Sequence, residues 1–199
     1  MTNRRRFIGS GLAVSVAASA LPRMAGAAPE EPLRLDWFVF DHRFPESAEI
    51  ARHVARQGVR VAGIEGDLTD LWYDHLDLAW KAQPQALAGV TTRDALFVLE
   101  TLAADHRMRV VYRGEHAAPL DGRVAHALKG PASLIRAADP AREGALWGQL
   151  LAWAMTRCPL GAPSLAAVSR VTEARASPAR AAPLYSWIIA PRSAVALTV

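Results

Sequence analysis

From residue 35 onward the apolar positions fall into short blocks whose period changes several times. Leu35-Asp36-Trp37-Phe38-Val39-Phe40 is an aromatic and branched run ending at Asp41, and it predicts a strand covered on both faces. Pro45 suits the first position of a helix, Glu46 and Glu49 place acids near its start, and Ile50, Ala51, Val54 and Ala55 share one side before Gly58. Those features predict a helix of about three turns. Val59 to Ile64 reads as a second strand, ending at Glu65. A strand, a helix and a strand at this spacing form a βαβ unit, whose two strands run parallel.

Further along, Leu68, Leu71, Trp72, Leu76, Ala79 and Trp80 recur every three or four residues opposite Asp70, Asp74, Asp77 and Lys81, the signature of an amphipathic helix. A loop containing Pro84 and Gly89 leads to Thr91-Thr92-Arg93-Asp94, a capping-box-like start for a helix carrying Ala95, Leu96, Val98, Leu99, Leu102 and Ala103. Arg107 to Arg113 sets arginines at alternate positions, which suits a strand with one wetter face. Pro119-Leu120-Asp121-Gly122 reads as a turn, and Arg123 to Lys129 as a strand returning antiparallel to it. Residues 143–157 are apolar almost all round and predict a helix that must be covered. The stretch 173–183, rich in Ala, Arg and Pro, reads as an exposed loop, and Leu184 to Ala190 as a last strand. The pattern predicts one α/β domain over residues 28–199: three layers, a mixed and partly parallel sheet of about four or five strands, and helices on both faces.

Residues 1–27 read differently. Arg4, Arg5 and Arg6 precede Phe7-Ile8, a short weakly apolar run from Gly9 to Ala20, and the small residues Ala25-Gly26-Ala27. The segment resembles a bacterial twin-arginine (Tat) signal, with the Arg pair, a spacer, Phe and an aliphatic residue at Arg4 to Ile8; Asn3 and Gly9 depart from the usual residues on either side. The resemblance implies export to the periplasm, with the Tat translocase as partner and folding complete before crossing. The apolar run is too short to span a bilayer, which takes about 20 residues. The mature domain resembles no family.

That segment changes the reading of charge. The whole chain has 23 Lys+Arg against 19 Asp+Glu, and four of the arginines lie in residues 1–27 with no acid among them. Without it the chain is formally neutral, which disfavours nucleic acid as a partner. The single cysteine, Cys158, makes no internal disulfide and reads as a buried, inert thiol.

Candidate chemistry gathers at the predicted strand ends, where open α/β sheets bind ligands. The first strand runs into Asp41-His42-Arg43, the second into Glu65-Gly66-Asp67, the third into Arg113-Gly114-Glu115-His116. If the strands are parallel, these groups share one rim. His42, His116 and Glu65 then have the chemistry of catalytic acids and bases, Arg43 and Arg113 that of anion binding, and Asp41 and Glu115 that of ligands to a divalent metal. Each also has a structural role open to it, Asp67 as the start of the next helix above all. His75 falls towards the apolar side of its helix and reads as a core histidine, while His106 falls at a helix end.

The chain contains no G-x-G-x-x-G, P-loop, C-x-x-C, C-x-x-C-H, H-E-x-x-H or G-x-S-x-G motif, so no dinucleotide, haem or iron–sulfur cofactor is predicted. Two functions follow: an exported accessory or ligand- and partner-binding protein without its own redox cofactor, or a small periplasmic hydrolase or metal-assisted enzyme working at the rim.

Overall fold

The computed structural model describes residues 33–117, 123–140, 147–157, 164–173 and 182–192. The signal-like segment, the turn at 119–122, Cys158 and most of the loop expected at 173–183 lie outside them. The chain runs β1 (Leu35–Asp41), α1 (Pro45–Ala55), β2 (Arg60–Ile64), α2 (Thr69–Leu71), a π-turn (Trp72–Leu76), α3 (Asp77–Ala82), β3 (Ala86–Thr91), α4 (Arg93–Asp105), β4 (Met108–Ala117), β5 (Arg123–Pro131), α5 (Ala132–Ala137), α6 (Trp147–Arg157), β6 (Leu165–Glu173) and β7 (Leu184–Pro191).

The strands form one mixed sheet in the order β2-β1-β3-β7-β4-β5-β6, seven strands where the sequence suggested four or five. β1 pairs in parallel with β2, as the βαβ reading requires, and also with β3. β7 is antiparallel to β3 on one side and to β4 on the other, so β4 runs in the same sense as β1 to β3. β5 returns antiparallel to β4, and β6 to β5. Helices α1, α5 and α6 cover one face, packing on Phe38, Val90, Leu128 and Ile188. The segment α2 to α3 and helix α4 cover the other, around Val39, Leu87, Trp187 and Ile189. The class is mixed α/β.

The two additional strands, β3 and β6, had weak signals. β3 stands where the sequence suggested a loop; its residues Ala86 to Thr91 are all buried, yet they include only two bulky apolar side chains. The reason is space: a Cβ on Gly89 would come within 2.5 Å of Trp187 Cζ2 and of the Val39 carbonyl oxygen. A small residue in β3 lets the Trp187 indole lie across the sheet, where its Nε1–H donates to Thr91 Oγ1 at 3.0 Å. The capping box expected at Thr91 to Asp94 does not form; Thr92 occupies the cap position of α4 without a side-chain bond. Asp67 does act at a helix start, accepting from Thr69 N at 2.9 Å and Thr69 Oγ1 at 2.7 Å, bonds that lower its pKa. The π-turn widens the helix at Trp72 to Leu76 and carries His75 to an exposed position, stacked on Trp37 at 5.0 Å instead of in the core. His106 ends α4 against Trp72 and Trp80.

Gly89→Ala is expected to destabilise the protein by about 2–3 kcal/mol, because neither a central indole nor a neighbouring backbone carbonyl can withdraw cheaply. Urea unfolding measures it, and an unchanged midpoint would show that β3 and β7 separate without penalty.

Candidate functional site

The chain leaves β1 for the α1 face and leaves the adjacent β3 for the α4 face. Neighbouring parallel strands whose connections diverge in this way open a crevice beyond their carboxyl ends. Asp41 lies there, fully buried, and three donors satisfy it. Arg43 Nε donates to Oδ1 at 2.9 Å, Arg43 Nη2 to Oδ2 at 2.6 Å, and the Arg43 backbone N–H to Oδ1 at 3.2 Å. The hydrogen bond to Asp41 holds the Arg43 guanidinium above its ordinary pKa. Gly66 leaves room for that guanidinium: its φ is +82°, and a Cβ there would sit 2.6 Å from Arg43 Nη2. Behind Asp41, the Ser47 hydroxyl accepts from Asp41 N at 3.1 Å and donates to the Val90 carbonyl at 2.5 Å, which pins the first turn of α1 to β1 and β3. His42 and Glu65 are exposed beside this fork, with Nε2 and Oε2 3.9 Å apart. Four of the expected rim residues are therefore together.

The remaining three are elsewhere. Phe40 is paired with Val90, Thr91 with Tyr185, and Tyr185 with Glu115, so Asp41 and Glu115 stand in one row with Thr91 and Tyr185 between them. Three strand spacings separate them by about 14 Å, too far for one metal ion or one proton transfer. Glu115 faces the Tyr185 phenol; burial first, and then that carboxylate, raise the phenol's pKa against the opposing pull of Arg93 and Arg113. Arg113 Nη2 donates to Glu100 Oε2 on α4 at 2.5 Å. His116, one residue beyond Glu115, points to the opposite face.

On that face His116 joins a buried polar cluster. It is paired across the β4–β5 ladder with His126, both side chains are almost fully buried, and their Nδ1 atoms are 2.9 Å apart. His116 Nε2 lies 2.7 Å from Ser186 Oγ, and Ser186 Oγ lies 3.1 Å from the Tyr112 hydroxyl. At the other end His126 Nε2 is 2.8 Å from Thr172 Oγ1. Trp147 covers both imidazoles with ring centroids 4.5 Å from each, and its indole N–H donates to the Ala138 carbonyl at 3.1 Å. Two neutral imidazoles fit these contacts in either of two arrangements: protons on His116 Nδ1 and His126 Nε2, with Ser186 donating to His116, or on His116 Nε2 and His126 Nδ1, with Thr172 donating to His126. Gly114 makes this possible, since a Cβ there would meet Ser186 Oγ at 2.5 Å and the Tyr112 hydroxyl at 2.9 Å.

Sequence reasoning placed His116 at the rim and missed His126, Ser186, Tyr112, Thr172 and Trp147. One signal was present: His116 and His126 are five residues either side of Asp121, inside the expected turn, so a hairpin sets them opposite each other.

Among the described residues no group of three or more His, Cys, Asp or Glu side chains is arranged around a metal position, and no helix is long and apolar enough to cross a membrane. Comparison of the chain with protein-family models, with curated proteins and with solved structures finds no match.

Arg43→Ala should leave the buried Asp41 carboxylate without its cation and cost about 2–4 kcal/mol in urea unfolding. Adding Asp41→Asn should recover part of that loss; equal losses in the single and double variants would show that Asp41 does not depend on Arg43. Burial also pushes the Tyr112 phenol well above its ordinary value. A phenol so raised adds stability that is complete below about pH 10 and is lost as the pH climbs beyond it. Tyr112→Phe should therefore flatten the alkaline decline in stability while losing about 1 kcal/mol at neutral pH with its hydrogen bond to Ser186. Parallel declines in both proteins would refute the assignment.

Proposed function

We propose that this is an exported, non-catalytic binding protein of the bacterial periplasm, acting as an accessory to a partner protein and carrying no redox cofactor of its own. The observation that carries the reading is the open half of the sheet. On the α4 face, β5 and β6 present Ala127, Lys129, Ala167 and Ser169 to solvent, with Leu165 51% and Val171 61% exposed. Side chains paired across that ladder set Leu165 and Val171 at the two ends of a row of small residues with Lys129 among them, the composition of a recognition surface.

Support also comes from the way the rim is built. Asp41 is taken up by Arg43, and His116 lies behind Trp147, so neither is free to exchange a proton with His42 or Glu65. The Tat-like segment adds the compartment and fits a chain that crosses already folded.

Native mass spectrometry of the full chain recovered from the periplasm tests the proposal. A stoichiometric complex is expected, and Leu165→Glu with Val171→Glu should weaken it by tenfold or more while near-ultraviolet circular dichroism stays unchanged. A monomer in both forms, or a hydrolytic activity abolished by His42→Gln or Glu65→Gln, would overturn it in favour of the rim enzyme.

A further inference from the structure

The geometry points to a metal site at the His116–His126 pair, for a divalent transition-metal ion of the imidazole-preferring zinc-to-copper class. The two imidazoles approach each other nitrogen to nitrogen across the β4–β5 ladder, with Nδ1 atoms 2.9 Å apart. At metal–nitrogen bonds of about 2.0–2.1 Å that is the span of two ligands at right angles, and parting by a few tenths of an ångström gives the tetrahedral span. Histidines that bind metals donate their second ring N–H to an outer acceptor, which fixes the ring and its tautomer. Ser186 Oγ and Thr172 Oγ1 stand at those positions, 2.7 and 2.8 Å from the two Nε2 atoms.

Loading needs no net loss of a proton. The ion takes the place of the hydrogen between the Nδ1 atoms, the imidazole that held it carries it on Nε2 instead, and the hydroxyl beside that nitrogen, Ser186 for His116 or Thr172 for His126, changes from donor to acceptor. His116 and His126 then bind as neutral ligands. Nitrogen donors select against magnesium and calcium, which take oxygen. Asp41 and Glu115, the carboxylates that the sequence offered as ligands, take no part: Asp41 is held by Arg43, and Glu115 faces the other way. The site is on the opposite face of the sheet from the open β5–β6 surface and stands or falls independently of partner binding.

The test uses the full chain without an affinity tag, treated with a chelator, in a Cys158→Ser background so that no thiol contributes. Titration with zinc and cobalt should load one equivalent, give visible cobalt bands of nitrogen ligation, and change the Trp147 fluorescence. His126→Gln should abolish uptake, Thr172→Val should weaken it about 10- to 100-fold, and His53→Gln should leave it unchanged. Nitrogen-15 spectra of the histidine side chains should show one proton of the pair moving from Nδ1 to Nε2 as zinc is added, leaving both imidazoles protonated on Nε2, a readout that holds even if His126→Gln does not fold. No uptake by the folded chain, uptake indifferent to Thr172→Val, or a proton remaining on either Nδ1 at full loading would each overturn the assignment.

Discussion

The fold depends on the seating of β7 between β3 and β4. That strand is buried along all but its last residue, it is the only described link between the parallel half of the sheet and the antiparallel half, and it carries side chains into both cores. Its fit is made by what its neighbours lack. Gly89 in β3 leaves space for the Trp187 indole on the α4 face, and Gly114 in β4 leaves space for Ser186 and the Tyr112 hydroxyl on the α1 face. Close packing on both sides of one strand holds seven strands in one sheet, because interiors at crystal-like density tolerate neither an extra methyl nor a void.

The same seating arranges the polar groups. An antiparallel strand placed between two parallel neighbours separates the end of β1 from the end of β4, so groups that end parallel strands do not converge. The fork of Asp41 and Arg43 becomes one cluster, Glu115 with Tyr185 another, and the histidine pair a third on the opposite face. Each cluster has its own local chemistry. The first is a buried ion pair whose half-exposed cation still faces the crevice between two helix starts, and the last is a run of hydroxyls and imidazoles closed by an indole.

Much of this architecture was legible in the chain, and the unread parts have physical reasons. β1, α1, β2 and β7 carry bulky periodic side chains, and the parallel pairing of β1 with β2 follows from their spacing. β3 resisted because a strand sandwiched between layers and crossed by an indole is built of Ala and Gly, which carry no periodic signal. Among the described strands β6 pairs on one edge, and one of its faces is open, so its alternation of Ala, Val, Ser and Arg is faint. His75 was misplaced because a π-turn advances the helix by less than the usual angle per residue. Of the candidate site, the grouping of Asp41, His42, Arg43 and Glu65 could be read from two strand ends. The neighbours of His116 could not, since Ser186 is 70 residues away and only the late strand brings it near.

Chain order adds a consequence for biogenesis. β7 is the last of the described strands to be synthesised, yet it occupies the middle of the sheet. While a nascent chain still holds residues 184–191 inside the ribosome, β3 and β4 keep facing, unpaired edges, and neither half of the sheet can close on the other. Cooperative folding is thereby deferred until β7 has left the ribosome, and a product terminated before it is left with two sticky borders that quality-control proteases and chaperones can recognise.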